Sequence, residues 1–142
     1  MSKSNSCENS LLLLLFNATT FADLAENDTS SPATNLYVSL HTSDPGEAGA
    51  QNTNEATYTS YARVPVARTA GGWTVTANSV SPAATISFPA GTGGSGTVTH
   101  FGIGTASSGA GVLLYSGTVT PNIVTGNGIT PQLTTASAIT ED

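Results

Sequence analysis

From residue 69 to residue 140 the chain carries no Lys, Arg, Asp or Glu. Disorder is usually driven by high net charge with low hydrophobicity, and a stretch this poor in charge does not fit that pattern. What fills it is small and neutral. The 142 residues include 23 Thr, 18 Ala, 17 Ser and 15 Gly, and only 8% are charged, against about 25% in ordinary soluble domains. Thr, Val, Ile and Tyr suit pleated surfaces, while Gly, Pro, Asn and Ser mark corners. The stretch therefore reads as sheet and turn.

The segments bear this out by period. Leu36, Val38 and Leu40 alternate with Tyr37, Ser39 and His41, the signature of a half-buried strand with His41 facing outward. Tyr61–Arg68 is the next strand, and Pro65 within it argues for an edge position or a bulge. Further strands are read at Trp73–Thr76, Ala84–Phe88, Thr97–Thr105, Val112–Val119 and Ile129–Thr135, separated by Gly-rich and Pro-marked turns. The expected fold is all-β: a jelly roll or β-sandwich of about seven or eight antiparallel strands behind one N-terminal helix. Residues 1–34 would form an arm, helix and connector, and 35–142 the sandwich domain.

The helix is expected from about Cys7 to Phe16, with continuation through Phe21 and Leu24 open. Asn5 and Glu8 have capping-box spacing. Five adjacent leucines, Leu11–Leu15, wrap around most of a helix, so it needs cover on more than one side, from a sheet edge or from a second subunit. The six-residue apolar run ending at Phe16 is shorter than a signal-peptide core and far too short for a membrane span, so a soluble protein made in the cytoplasm is expected. The 43–60 segment, holding Asp44, Glu47 and Glu55, is long for a connection and reads as functional or as an interface arm.

Charge also limits the partners. Three basic residues and a net charge of −6 cannot supply a cationic face for nucleic acid or anionic membranes. One cysteine, Cys7, excludes an intrachain disulfide framework. Cys7, His41 and His100 fit no metal-ligand spacing, and no cofactor is expected. No nucleophile-elbow motif accompanies the histidines. Asp44 and Glu47 lie in the turn DPGEAG, where Asp before Pro-Gly is turn chemistry, and GIGTASSG (102–109) reads as a hairpin corner, not a phosphate loop. The expectation is a protein that is not an enzyme. Strand edges are commonly guarded by charge, and here the strands read between Arg68 and Glu141 carry none. The sheet must be closed on itself or covered by neighbouring subunits.

LYVSLHTSDPGEAG (36–49), YARVPV (61–66), Trp73, ISFP (86–89), GTVTHFGIGTASSGAGVLLYSGTV (96–119) and the leucine helix occur in an order that resembles a family of small virion proteins of tailed bacteriophages, often labelled tail fibre proteins. The resemblance covers about residues 8–125. It implies a structural role in the virion and carries no catalytic residues. Receptor-binding fibres are generally long and repetitive, and this chain shows no repeat. The primary expectation is therefore a capsid cement or decoration protein on the capsid surface, bridging capsomers of the major capsid protein and pairing with itself as a homodimer or homotrimer. The alternative is a tail fibre or baseplate-associated receptor-binding protein. Candidate capsid or subunit contacts are Leu11, Leu12, Leu15 and Phe16 of the helix, Asp44, Glu47, Glu55 and Tyr58 of the loop, and Tyr61 and Arg63 beyond it.

Overall fold

The computed structural model describes residues 3–21, 25–27 and 29–141. They form α1 (Asn5–Asn17), β1 (Asn35–His41), β2 (Val64–Ala67), β3 (Trp73–Thr76), β4 (Ser79–Pro82), β5 (Ile86–Ser87), β6 (Gly96–Gly104), β7 (Leu113–Thr125), β8 (Gln132–Leu133) and β9 (Ile139–Thr140). The all-β class with one N-terminal helix is observed, with nine strands among the described residues. The strands make three sheets of order β2-β1-β6-β7, β3-β4-β9 and β5-β8. The β1–β6, β6–β7, β3–β4 and β4–β9 pairings are antiparallel, consistent with a β-sandwich. Among the described residues no helix is long and apolar enough to cross a membrane.

The chain divides into two compact units. One comprises Met1–Asn35, Val66–Thr85 and Leu133–Asp142; the other comprises Leu36–Pro65 and Ile86–Gln132.

In the first unit the N-cap of α1 is Ser4, one residue before the expected cap Asn5. Ser4 is extended (φ −78°, ψ 150°), and its Oγ accepts from the Cys7 amide at 3.3 Å, satisfying one of the orphan donors of the first turn. The helix stops because Ala18 turns left-handed (φ 53°) and Thr19 donates to the Leu13 carbonyl at 3.1 Å. Phe21 therefore lies outside the helix, in an isolated bridge to Ala25, and Leu24 lies outside the described residues. Of the leucine run only Leu12 is fully buried. It shares a face with Phe16, four residues on, whose ring meets Trp73 of β3 edge-on at 4.9 Å. Leu11, Leu13, Leu14 and Leu15 are half-buried.

The last turn of α1 has no basic residue of its own. Arg68 supplies one: Nε donates to the Leu15 carbonyl at 2.7 Å and Nη2 to that of Leu14 at 2.8 Å. Its Nη1 reaches the Ala33 carbonyl and Asn27 Oδ1. A cation on the helix's terminal carbonyls complements the macrodipole and satisfies acceptors that have no intrahelical donor. Two strands unforeseen in the sequence complete this unit. β4 pairs with β3 through the tight turn Ala77-Asn78, and β9 pairs with β4 through Val80 opposite Ile139. Ala77 takes the positive φ (54°) that a glycine would have advertised.

The second unit is organised on β1, whose residues Tyr37 to His41 pair with Gly104 to His100 of β6. Its apolar core holds Leu36, Val38, Leu40, Val98, Phe101 and Ile103, with Tyr58 and Phe88. The expected outward face of β1 is not outward: Ser39 and His41 are fully buried, because the segment after β1 folds back along it. Ala56 donates to the Leu40 carbonyl and Thr42 to that of Asn54, both at 2.8 Å. The strand expected from Tyr61 begins only at Val64; β2 stands at the sheet's edge, which accommodates Pro65.

The leucine run gives a sharp test. Leu12→Ala should lower stability by about 2–5 kcal/mol, the cost of a core cavity. Leu13→Ala, one position along on a half-buried face, should cost under about 1 kcal/mol. Urea midpoints of the two variants measure the contrast.

Candidate functional site

The second unit gathers most of the chain's buried polar chemistry around the 43–60 segment. Arg63 is the centre of it. Its Nε and Nη2 grip Glu55 Oε1 and Oε2 at 2.7 and 2.8 Å, Nη1 donates to the Ala106 carbonyl at 2.8 Å, and Nη2 also donates to that of Gly109 at 2.6 Å. The guanidinium thus ties the long segment to the 105–111 turn. The Glu55 carboxylate beside it holds its pKa above the ordinary arginine value. Tyr61 completes the cluster: its hydroxyl donates to Glu55 Oε1 at 2.8 Å and accepts from the Leu40 amide at 3.0 Å. Burial pushes the Tyr61 phenol well above its usual range, so it remains a neutral donor.

Gln51 makes a second tie. Its Nε2 donates to the Tyr37 carbonyl at 2.8 Å and its Oε1 accepts from the Ala106 amide at 3.2 Å. His41 makes a third. Its Nδ1 bonds the Thr53 carbonyl at 2.8 Å; a carbonyl can only accept, so Nδ1 carries the proton and Nε2 accepts from Ser39 Oγ at 2.9 Å. Burial lowers the His41 pKa below the usual histidine value, against the Thr53 hydrogen bond.

Ser39 and His41 have the atoms of a nucleophile and its base, yet both are fully buried. A methyl group on Gly102, across the strand pair, would sit 2.6 Å from His41 Nε2 and 2.7 Å from Ser39 Oγ. The pair fills the space that glycine leaves, with no room for a reacting molecule beside it. Gly104, two residues on, makes the same allowance for Gln51. Among the described residues no three of His, Cys, Asp and Glu cluster as metal ligands.

What the second unit presents to solvent is different. Asp44, Gly46 and Glu47 form one wall of a cleft of about 380 Å³, and Leu113 to Ser116 of β7 form the other. Asp44 is held as an Asx turn, its Oδ1 accepting from the Gly46 amide at 2.9 Å. Among the described residues β7 is an outermost strand of its sheet and pairs with β6. Val112, just before it, and Val124, near its end, are 59% and 62% exposed.

A family model described as Podophage GP4 fiber I protein gp80 matches residues 2–139. The chain belongs to that family. It is a phage virion structural protein, in agreement with the resemblance carried by the sequence motifs. No curated protein matches it.

The candidate contact residues of this gp80-family chain fall into two groups. Leu12 and Phe16 lie in the interior of the first unit, Tyr58 and Arg63 in that of the second, and Glu55 and Tyr61 are bound into the Arg63 cluster. They hold the fold, and a guanidinium engaged with a carboxylate and two carbonyls offers little to a partner. Asp44 and Glu47 are exposed, and Leu11 and Leu15 half-exposed. Sequence reasoning missed Ser39, Gln51 and the Leu113–Ser116 wall. The alternating glycines at 102 and 104, opposite a polar strand face, were the available signal for the first two.

Two outcomes follow for this family member. Arg63→Met should cost about 3–5 kcal/mol by leaving the Glu55 carboxylate without its partner, and Glu55→Leu added to it should restore part of that loss; denaturant titration of the single and double variants measures both. For His41 the folded pKa lies below the unfolded one, so the unfolded chain binds the proton more readily. Stability should fall as pH drops through about 6.5 and below. In His41→Gln, urea midpoints at pH 7.5 and 5.0 should differ less than in the parent protein.

Proposed function

We propose that the protein is a subunit of a virion fibre, a structural module that acts by surface contact and carries out no catalysis. The observation that carries this reading is the family match over residues 2–139, whose printed description names a fibre protein. The interior agrees with it. The Ser39–His41 pair, the nearest thing to catalytic machinery, is sealed beneath the 43–60 segment and packed against Gly102. The capsid-cement reading, first by size, has less support, because a fibre can also be assembled from small subunits. On this proposal Asp44, Glu47 and the exposed strand β7 are the surfaces that meet other virion proteins.

Copy number and position test the proposal together. Densitometry of purified virions should give a few to some tens of copies, and gold-labelled antibody should mark the tail. Hundreds of copies spread over the shell would overturn the fibre assignment in favour of cement.

A further inference from the structure

We infer that the outer edge of β7 beside the Asp44–Glu47 turn is a docking site for an extended segment of a different polypeptide, one that brings a Lys or Arg to the two carboxylates. The inference depends on the chain having neighbours in the virion, not on its being part of a fibre, so it can fail without touching the copy-number result.

An edge strand is a row of backbone donors and acceptors open to another strand. Most of β7 is guarded against indiscriminate pairing. Its ladder to β6 is shifted between the Ile103–Tyr115 and Gly104–Leu113 pairs. It is broken again between Thr118 and Ile123, where four residues including Pro121 stand against Thr99 alone. Bulges and proline are the usual means of blunting an edge. Between these irregularities lies one regular window, Tyr115–Thr118, paired in step with Ile103–His100. A strand added there has a fixed register and a short length. The cleft reaches this window, with Asp44 and Glu47 as its opposite wall.

Charge decides the occupant. Among the described residues the two carboxylates that line the cleft have no ion-pair partner, and Glu47 has no hydrogen-bond partner. A second copy of this chain has little to offer them. Its side-chain cations are Lys3, Arg63 and Arg68. Lys3 pairs with Glu141 at 2.9 Å, Arg63 is locked to Glu55 and two carbonyls, and Arg68 is spent on α1 and the connector. Pairing β7 with its own copy would also bring like charges toward one another. The complementary partner is a foreign strand with a basic residue.

The full-length protein can be titrated with a labelled peptide, Thr-Val-Lys-Val-Thr-Val-Lys-Thr, and with the same peptide carrying Glu for Lys. The Lys peptide should bind at low salt, weaken with added salt, and protect from hydrogen exchange those amides among residues 115–118 that face away from β6. The Glu peptide should not bind. Asp44→Asn keeps the Asx turn; combined with Glu47→Gln it should weaken the Lys peptide about three- to tenfold, the effect of losing two exposed ion pairs. A photocrosslinker at Thr118 in assembled virions should capture a different protein near a Lys or Arg. The proposal is overturned if the Lys peptide does not bind, if the double variant binds it equally well, or if the crosslink joins two copies of this chain.

Discussion

The second unit depends on one guanidinium. The segment from Ser43 to Ser60 is built mainly of Ala, Gly, Thr, Asn and Ser, and such side chains bury too little apolar area to fix a long loop by themselves. Arg63 does it instead, joining Glu55 to the carbonyls of Ala106 and Gly109. A bidentate carboxylate on one side and fixed carbonyls on the other engage a planar fork that lysine could not reproduce. Arg68 plays the corresponding part in the first unit, joining the end of α1 to the connector at Asn27 and Ala33. A chain with very few cations thus uses both its arginines as internal ties.

The same economy explains the glycines of β6. Gly102 and Gly104 lie beside Ser39, His41 and Gln51, and side chains at either position would collide with those polar groups. The buried layer is therefore hydrogen-bonded rather than greasy: Ser39 to His41, His41 to Thr53, Gln51 to Tyr37 and Ala106. Each polar atom in it needs its partner, because an orphan in that position costs about 1–3 kcal/mol. Small-residue composition, which first reads as filler, is what gives the layer its room.

Much of this fold was legible. Strong alternation exposed β1 and β6, Trp73–Thr76 was placed as observed, and Pro65 marked an edge strand. What escaped had a physical reason in each case. β4 follows a turn whose positive-φ residue is Ala77, not glycine. β9 is two residues long and exists through pairing with β4, a contact between distant parts of the chain. His41 looked solvent-facing because period-2 reading assigns one face to water, and only the returning segment, through Ala56 and Thr53, covers the other. Of the candidate contact residues, those with the most polar chemistry, Arg63 and Glu55, turned inward; sequence shows that a charge is rare but not which side of a loop it faces.

The uncharged half was expected to be closed or covered, and β7 sharpens that expectation. A sheet without Lys, Arg, Asp or Glu cannot use electrostatic repulsion to keep its edge from pairing. Its remaining means are geometric: a shifted register at Leu114, an excursion through Thr120, Pro121 and Asn122, and then a short return to the ladder at Ile123. These irregularities leave Tyr115–Thr118 as the longer regular run against β6, with a three-pair return at Ile123–Thr125. Geometry can shorten an open edge but, unlike charge, does not discriminate between strands that fit the gap. Discrimination then falls to ionised groups beside the window, and the cleft lined by Tyr115 and Ser116 is also lined by the carboxylates of Asp44 and Glu47.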